Sequence, residues 1–217
     1  MLYYAYSDYL KQKYGEKVYK LPINLPVTCP NRIKGRGCAF CAGAGTGFEA
    51  MNSSNSVTQQ LKKTQELIVR KYHARKYIAY FQNYTNTFLP VEEFRGYLLE
   101  AAAFPDIVEI AVSTRPDCLT EDYLNVMQEI HEQTGINMTI ELGLQTANYH
   151  TLERIERGHG LAEFIDAVLM IKKYKDYQIC THVILNLPGD TLADARETAR
   201  ILTALGIDIV KLHSLYI

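Results

Sequence analysis

One repeating pattern constrains this chain more than any other feature. Short apolar runs alternate with amphipathic segments from residue 17 to the end. Strands are expected over 17–25, 77–81, 107–113, 138–144, 178–187 and 208–217, because each run is continuously apolar or alternates. Helices are expected from Ser56 or Val57 to about Arg75, from Pro90 or Val91 to Ala103, over 121–133 behind Thr120, over 148–156 and 161–174, and over 191–205. Strands that are apolar on both faces and alternate with helices predict a parallel sheet covered by helices. Six units are too few to close an eight-stranded barrel, so the expected fold is α/β, an open partial (β/α)6 TIM-like barrel. Residues 1–16 read as a basic, tyrosine-rich N-terminal arm, and 17–217 as the (β/α)6 domain. Ending on an uncovered apolar strand gives that domain the look of one truncated after strand six.

Charge narrows the partners. The 217 residues carry a formal net charge of -1, so no single-sign field covers the molecule. The first 38 residues differ, with seven Lys/Arg (Lys11, Lys13, Lys17, Lys20, Arg32, Lys34, Arg36) against Asp8 and Glu16. Tyrosines stand among them at 3, 4, 6, 9, 14 and 19. Such a stretch suits RNA, by phosphate contact and base stacking, or else a solvated arm whose tyrosines pack on the domain. No run of 18 apolar residues exists, so no transmembrane helix is expected. The start lacks the order of a signal peptide, which points to the cytoplasm. A reducing compartment suits free thiolates.

Cys29, Cys38 and Cys41 fall within thirteen residues, spaced C-x8-C-x2-C, with Gly35 and Gly37 in the loop between. A C-x2-C pair brings two thiolates to one turn, and the third arrives across the loop. Three soft sulfur ligands suit an iron–sulfur cluster with one iron left open. A structural zinc site wants a fourth ligand, and the nearest downstream histidine, His73, is far off in sequence. A disulfide fits poorly, since three clustered thiols cannot pair evenly. Cys118 and Cys180 read as structural, because buried free cysteine is common.

Polar residues gather where the strands end. Gln82 to Thr87 follow strand two, Ser113-Thr114-Arg115-Pro116-Asp117 end strand three, and Glu141 and Gln145-Thr146 belong to strand four. Asn186-Leu187-Pro188-Gly189-Asp190 end strand five, and strand six carries His213. Singly, Thr and Asn cap helices, Arg115 pairs with Asp117, and Pro188-Gly189 makes a turn. Together they point at one mouth.

With those residues laid out, the chain resembles the radical SAM superfamily, in particular its small stand-alone bacterial members related to the catalytic subunit of Elongator. The matching stretches are Thr28–Arg32, Gly37–Cys41, Tyr80–Thr87, Ser113–Asp117, Glu141–Thr146, Arg157-Gly158-His159 and Leu187–Asp190. The resemblance implies a [4Fe-4S] cluster on Cys29, Cys38 and Cys41, the catalytic centre. S-adenosyl-L-methionine would bind the open iron, and an external one-electron donor such as flavodoxin or ferredoxin would drive its cleavage to a 5′-deoxyadenosyl radical. By motif position, the Phe40 backbone meets adenine, Thr85 and Asn86 lie near the methionyl amino group, and Arg157 meets the methionyl carboxylate. Gln145 matches a ribose contact, and His182 stands where some relatives carry an acidic one. Two departures stand out: the first cysteine gap is eight residues, and Asn186 replaces a glycine common before Leu-Pro-Gly. The acetyltransferase domain of the Elongator subunit has no counterpart here. Kinship with Elongator suggests wobble uridine of tRNA as substrate. A small metabolite, or an inert RNA-binding scaffold that keeps the cluster for stability, are the alternatives. Nothing points to DNA or a membrane.

Overall fold

The computed structural model describes residues 3–41 and 50–215. The small-residue loop expected over 42–55 lies, from 42 to 49, outside the described residues. Six parallel strands form one sheet in sequential order: β1 Val18–Ile23, β2 Lys76–Phe81, β3 Ile107–Thr114, β4 Asn137–Gln145, β5 Tyr177–Leu185 and β6 Ile209–Ser214. Every neighbouring pair is parallel, with register breaks at Tyr77/Ile78 and Gly143/Gln145. The sheet curves into the expected open half-barrel.

Helices α1 Tyr6–Tyr14, α2 Pro30–Lys34, α3 Val57–Tyr72, α4 Val91–Ala102, α5 Glu121–Thr134, α6 Tyr149–Arg154, α7 Leu161–Ile171 and α8 Leu192–Ala204 complete the chain. Ser56 starts α3 in a reciprocal cap with Gln59, and Thr191 does the same for α8 with Asp194. Thr120 sits at the N-cap of α5 but makes no side-chain capping bond. The short α2 inside the cysteine loop was not expected. Pro30 at its first turn presets the helical dihedral.

The two faces of the sheet are built differently. The helix-facing side is apolar: Leu21, Ile23, Phe81, Ile110, Ile140 and Leu142 pack on Phe94, Leu98, Leu124, Phe164 and Val168, all 2% exposed or less. Burying each such side chain contributes about 1.5–3 kcal/mol. The expectation of strands apolar on both faces fails on the concave side. Lys20, Glu109, Thr139, Glu141 and His182 point inward there, because period-two alternation sends every second residue into the half-barrel.

That interior is closed at the strand starts by α1. Leu10 packs with Val18, Ile78 and Ala111. Lys13 Nζ reaches Glu109 Oε2 at 3.0 Å and Gln178 Oε1 at 2.6 Å, and the Tyr14 hydroxyl donates to the same Glu109 oxygen at 2.5 Å. Thr139 donates to the other Glu109 oxygen at 2.9 Å. Lys13 and Lys20 therefore do not face outward, as a basic RNA-binding arm requires, because each neutralises a carboxylate that is 1% exposed. Lys11 and Lys17 do face solvent.

Removing one partner of a buried pair strands the other charge. Lys13→Ala should cost about 3 kcal/mol, the low end for breaking a buried pair, since Lys13 keeps some water contact. Lys11→Ala, two residues away and exposed, should change stability by less than about 0.5 kcal/mol. Equal effects in urea unfolding would show that α1 is not part of the barrel interior.

Candidate functional site

The carboxyl ends of the strands surround a cavity of about 470 Å³. Cys29, Cys38, Cys41 and Phe40 line it from the cysteine loop. Thr85, Gln145, Arg157 and His182, each expected at the site, line it too. Asn86 does not. Its side-chain amide donates to Phe81 O at 2.9 Å and Ser113 O at 2.8 Å, so it clamps the end of β2 to β3. Arg32, Tyr80, Tyr84, Arg115, Glu141, Lys211 and His213 are also among the lining residues. Lys211 was not expected there, although it shares the inward alternation of Lys20 and His213.

The cysteine loop is held by the segment after α6. Asn31 Nδ2 donates to Glu156 O and Arg157 O, both at 2.8 Å, and lies 3.3 Å from Cys38 Sγ. Ala39 N donates to Ile155 O at 3.0 Å. Gly158 is required there: its φ is +74°, and a Cβ would stand 2.3 Å from Asn31 Oδ1. At Gly143 a Cβ would stand 2.6 Å from Arg157 Nη2, which instead donates to Gly143 O at 2.7 Å. The Arg157-Gly158-His159 run is thus explained by close approach. Asn186 has φ +64°, a left-handed conformation that asparagine adopts more readily than most side chains.

A guanidinium meets each sulfur. Arg115 Nη1 lies 3.7 Å from Cys29 Sγ, Arg157 Nη1 3.5 Å from Cys38 Sγ, and Arg32 Nη2 3.4 Å from Cys41 Sγ. Arg115 also pairs with Asp117 through two bonds, of 2.9 and 2.7 Å. Among the described residues, the three potential ligands that converge within 4.8 Å are Glu141, Cys180 and His182, not the three cysteines. A single ion therefore fits the cysteines poorly, whereas a cluster with several irons needs its sulfurs spread. Thr85 Oγ1 and Arg157 Nε are buried without partners, as expected of atoms kept for a ligand.

The converging trio itself does not suit a cation. Lys20 and His182 (Nε2 at 2.6 Å) occupy the Glu141 oxygens, with Lys211 at 3.8 Å. Burial pushes the Glu141 carboxyl up, but Lys20, the His182 bond and Lys211 outweigh it and hold Glu141 well below the usual carboxylate range. Burial pushes the Cys180 thiol far up, so it stays protonated. Burial likewise pushes the Cys118 thiol up to about 11.

Burial and then Arg157 push His159 down to about 4, and burial, His182 and Lys211 do the same to His213. In the unfolded chain each takes its proton near pH 6.5. Because the folded value is the lower one, this stability is fully present above about pH 6.5 and is lost as pH falls toward 4. His159 alone should account for a loss of about 2–3 kcal/mol between pH 7 and 4.5. Urea midpoints of the cluster-free protein across that range measure it. A slope unchanged by His159→Gln would remove this histidine from the explanation.

Similarity to known proteins agrees with this geometry. The profile of the radical SAM superfamily matches residues 23–202. Protein YhcC of Escherichia coli K12 is 37% identical over 211 residues, which cover 96% of this chain and 66% of YhcC. A tRNA-2-methylthio-N(6)-dimethylallyladenosine synthase from a Sulfurihydrogenibium species is 30% identical over 116 residues, 52% of this chain and 26% of that protein. Among solved structures, Escherichia coli coproporphyrinogen III oxidase (HemN) superposes with a TM-score of 0.61 at 16% identity, over 98% of this chain and 48% of that one, a likeness of fold. The chain spans about two thirds of the length of the curated relatives it matches most extensively. It belongs to the radical SAM superfamily.

Proposed function

We propose that this chain is a radical SAM enzyme in which Cys29, Cys38 and Cys41 hold a [4Fe-4S] cluster. The observation that carries the reading is the set of three cysteines on one cavity wall, each sulfur met by an arginine, above a charged floor. When bound, cluster and S-adenosyl-L-methionine supply one-electron cleavage to a 5′-deoxyadenosyl radical, with the electron delivered by an external donor such as a flavodoxin or ferredoxin. The residues of the chain bind and orient. Arg157, buried and with Nε unpaired, suits the methionyl carboxylate. Thr85 suits the methionyl amino group, and the Phe40 backbone the adenine. Gln145 and His182 suit the ribose. His182 Nε2 donates to Glu141, which leaves Nδ1 to accept from a hydroxyl. Thiolate ligands favour a reducing compartment such as the cytoplasm. No helix among the described residues is long and apolar enough to cross a membrane.

Anaerobically prepared protein should be brown and carry about four irons per chain, as a [4Fe-4S] centre requires. Cys38→Ala should lose both colour and iron. Zinc in place of iron in the unaltered chain would sink the assignment.

For substrate we favour a tRNA base over a small metabolite or an inert scaffold, on the strength of the similarity to a tRNA-modifying synthase and of the exposed cations Lys34 and Arg36 on the cysteine loop. Wobble uridine remains the specific base suggested by kinship with Elongator. The helix α1 lies at the opposite end of the barrel, so an RNA backbone cannot run across both as a single basic arm would have allowed. Tyr149, 60% exposed at the start of α6, offers an aromatic face on the same side as the mouth. A base must leave its stack to reach the cavity. Filter binding of purified tRNA should weaken with salt. It should drop several-fold with Lys34→Glu plus Arg36→Glu, yet persist with Lys11→Glu plus Lys17→Glu. No retention at low salt would put the small-metabolite reading ahead.

A further inference from the structure

Three arginines come from unrelated parts of the chain: Arg32 from α2, Arg115 from the end of β3, and Arg157 from the segment after α6. Packing alone gives no reason for them to distribute one to each sulfur, yet they do, at 3.4–3.7 Å. Nor are they loosely placed. Arg115 is 3% exposed and is fixed by Asp117 and by the carbonyls of Arg157 and Gly158, both at 3.2 Å. Arg157 is 6% exposed and is fixed by Gly143 O. Arg32 is laid over the Tyr84 ring, 5.3 Å from its centroid, and reaches Cys41 O as well as the sulfur. Each spends one N–H on sulfur, and Arg157 still keeps a buried, unpartnered Nε for a ligand carboxylate.

We infer that Arg32, Arg115 and Arg157 form a collar that sets the reduction potential of the cluster, an inference that rests on the three cysteines being its ligands. Adding an electron makes the thiolate-bound cluster more negative by one charge. Nearby positive charges stabilise the reduced state more than the oxidised one, and N–H donors to ligand sulfur withdraw electron density in the same sense. Both effects raise the potential, toward the reach of a cytoplasmic one-electron donor. Asp117 works against the collar, since its carboxylate partly offsets Arg115. The four side chains thus make a prediction with opposite signs. Arg32, Arg115 and Arg157 are positioning residues here, because they act through the thiolates.

The test is a redox titration of the reconstituted protein without S-adenosylmethionine, followed by electron paramagnetic resonance of the reduced cluster. Arg32→Gln should move the potential to more negative values, and Arg32→Lys, which keeps the charge, should restore part of the shift. Asp117→Asn should move it to more positive values. Iron content and the cluster absorbance of each variant report assembly separately, so a variant that fails to load cannot be mistaken for one whose potential has moved. If Arg32→Gln fails to load, Asp117→Asn decides alone. A loaded cluster whose potential is unmoved by either change, or is moved in the same direction by both, overturns the collar and leaves the ligand assignment standing. Unaltered protein that binds no iron overturns the ligand assignment, and the collar with it.

Discussion

The buried carboxylate of Glu141 joins parts of the half-barrel that no hydrogen-bonded ladder connects. It sits on β4, and its partners Lys20, His182 and Lys211 come from β1, β5 and β6. An open sheet has no ladder between its first and last strands, so only side chains can tie them across the hollow. A lone buried carboxylate would cost several kcal/mol, and three partners make its burial tolerable. The same lysines fix Tyr80, whose ring lies 4.2 Å from Lys20 Nζ and 5.0 Å from Lys211 Nζ. Ser113 Oγ donates to its hydroxyl at 3.1 Å. Lys20 and Lys211 thus serve Glu141 and Tyr80 at once, which ties β1, β2, β4 and β6 together at the cavity floor.

The opposite wall is held by backbone approach rather than by charge. Asn31 bonds the carbonyls at 156 and 157, and only glycine at 158 leaves it room. Tyr84, Gln145 and Asn186 all adopt positive φ at or just past strand ends, at 57°, 81° and 64°. Left-handed backbone at a non-glycine residue costs on the order of 1 kcal/mol or more and persists only where its surroundings fix it. Strain therefore concentrates around the mouth, where loop, strand ends and arginines must meet within a few ångströms.

Much of this was legible in the sequence, and the parts that were not share a cause. The six strands could be read because their helix-facing residues, Leu21, Phe81, Ile110 and Ile140 among them, are unbroken in apolar character. The cysteines and Gln145 could be placed at one mouth because each follows or ends a strand, and Arg157 and His182 through their positions in motifs that resemble the radical SAM superfamily. The polar concave face was not legible. Lys20 and Glu109 look like ordinary surface charges until the curvature of the sheet turns them inward. Arg115 could be read as the partner of Asp117, and it is. Its second contact, with Cys29 eighty-six residues earlier, depends on tertiary approach that no local pattern encodes. Strand closure takes only the NH2 of Asn86, which bonds Phe81 O and Ser113 O, while its Oδ1 stays buried without a partner.

The two closures of the barrel decide how a ligand enters. At the strand starts, Leu10, Lys13 and Tyr14 of α1 fill the hollow with apolar contacts and satisfied charges. At the strand ends, the described residues leave the cavity between the cysteine loop and the floor. The sulfur wall lines that cavity together with Tyr80 and His213. The basic residues of the amino terminus divide accordingly: Lys34 and Arg36 on the cysteine loop are exposed, while Lys13 and Lys20 neutralise the buried carboxylates of Glu109 and Glu141.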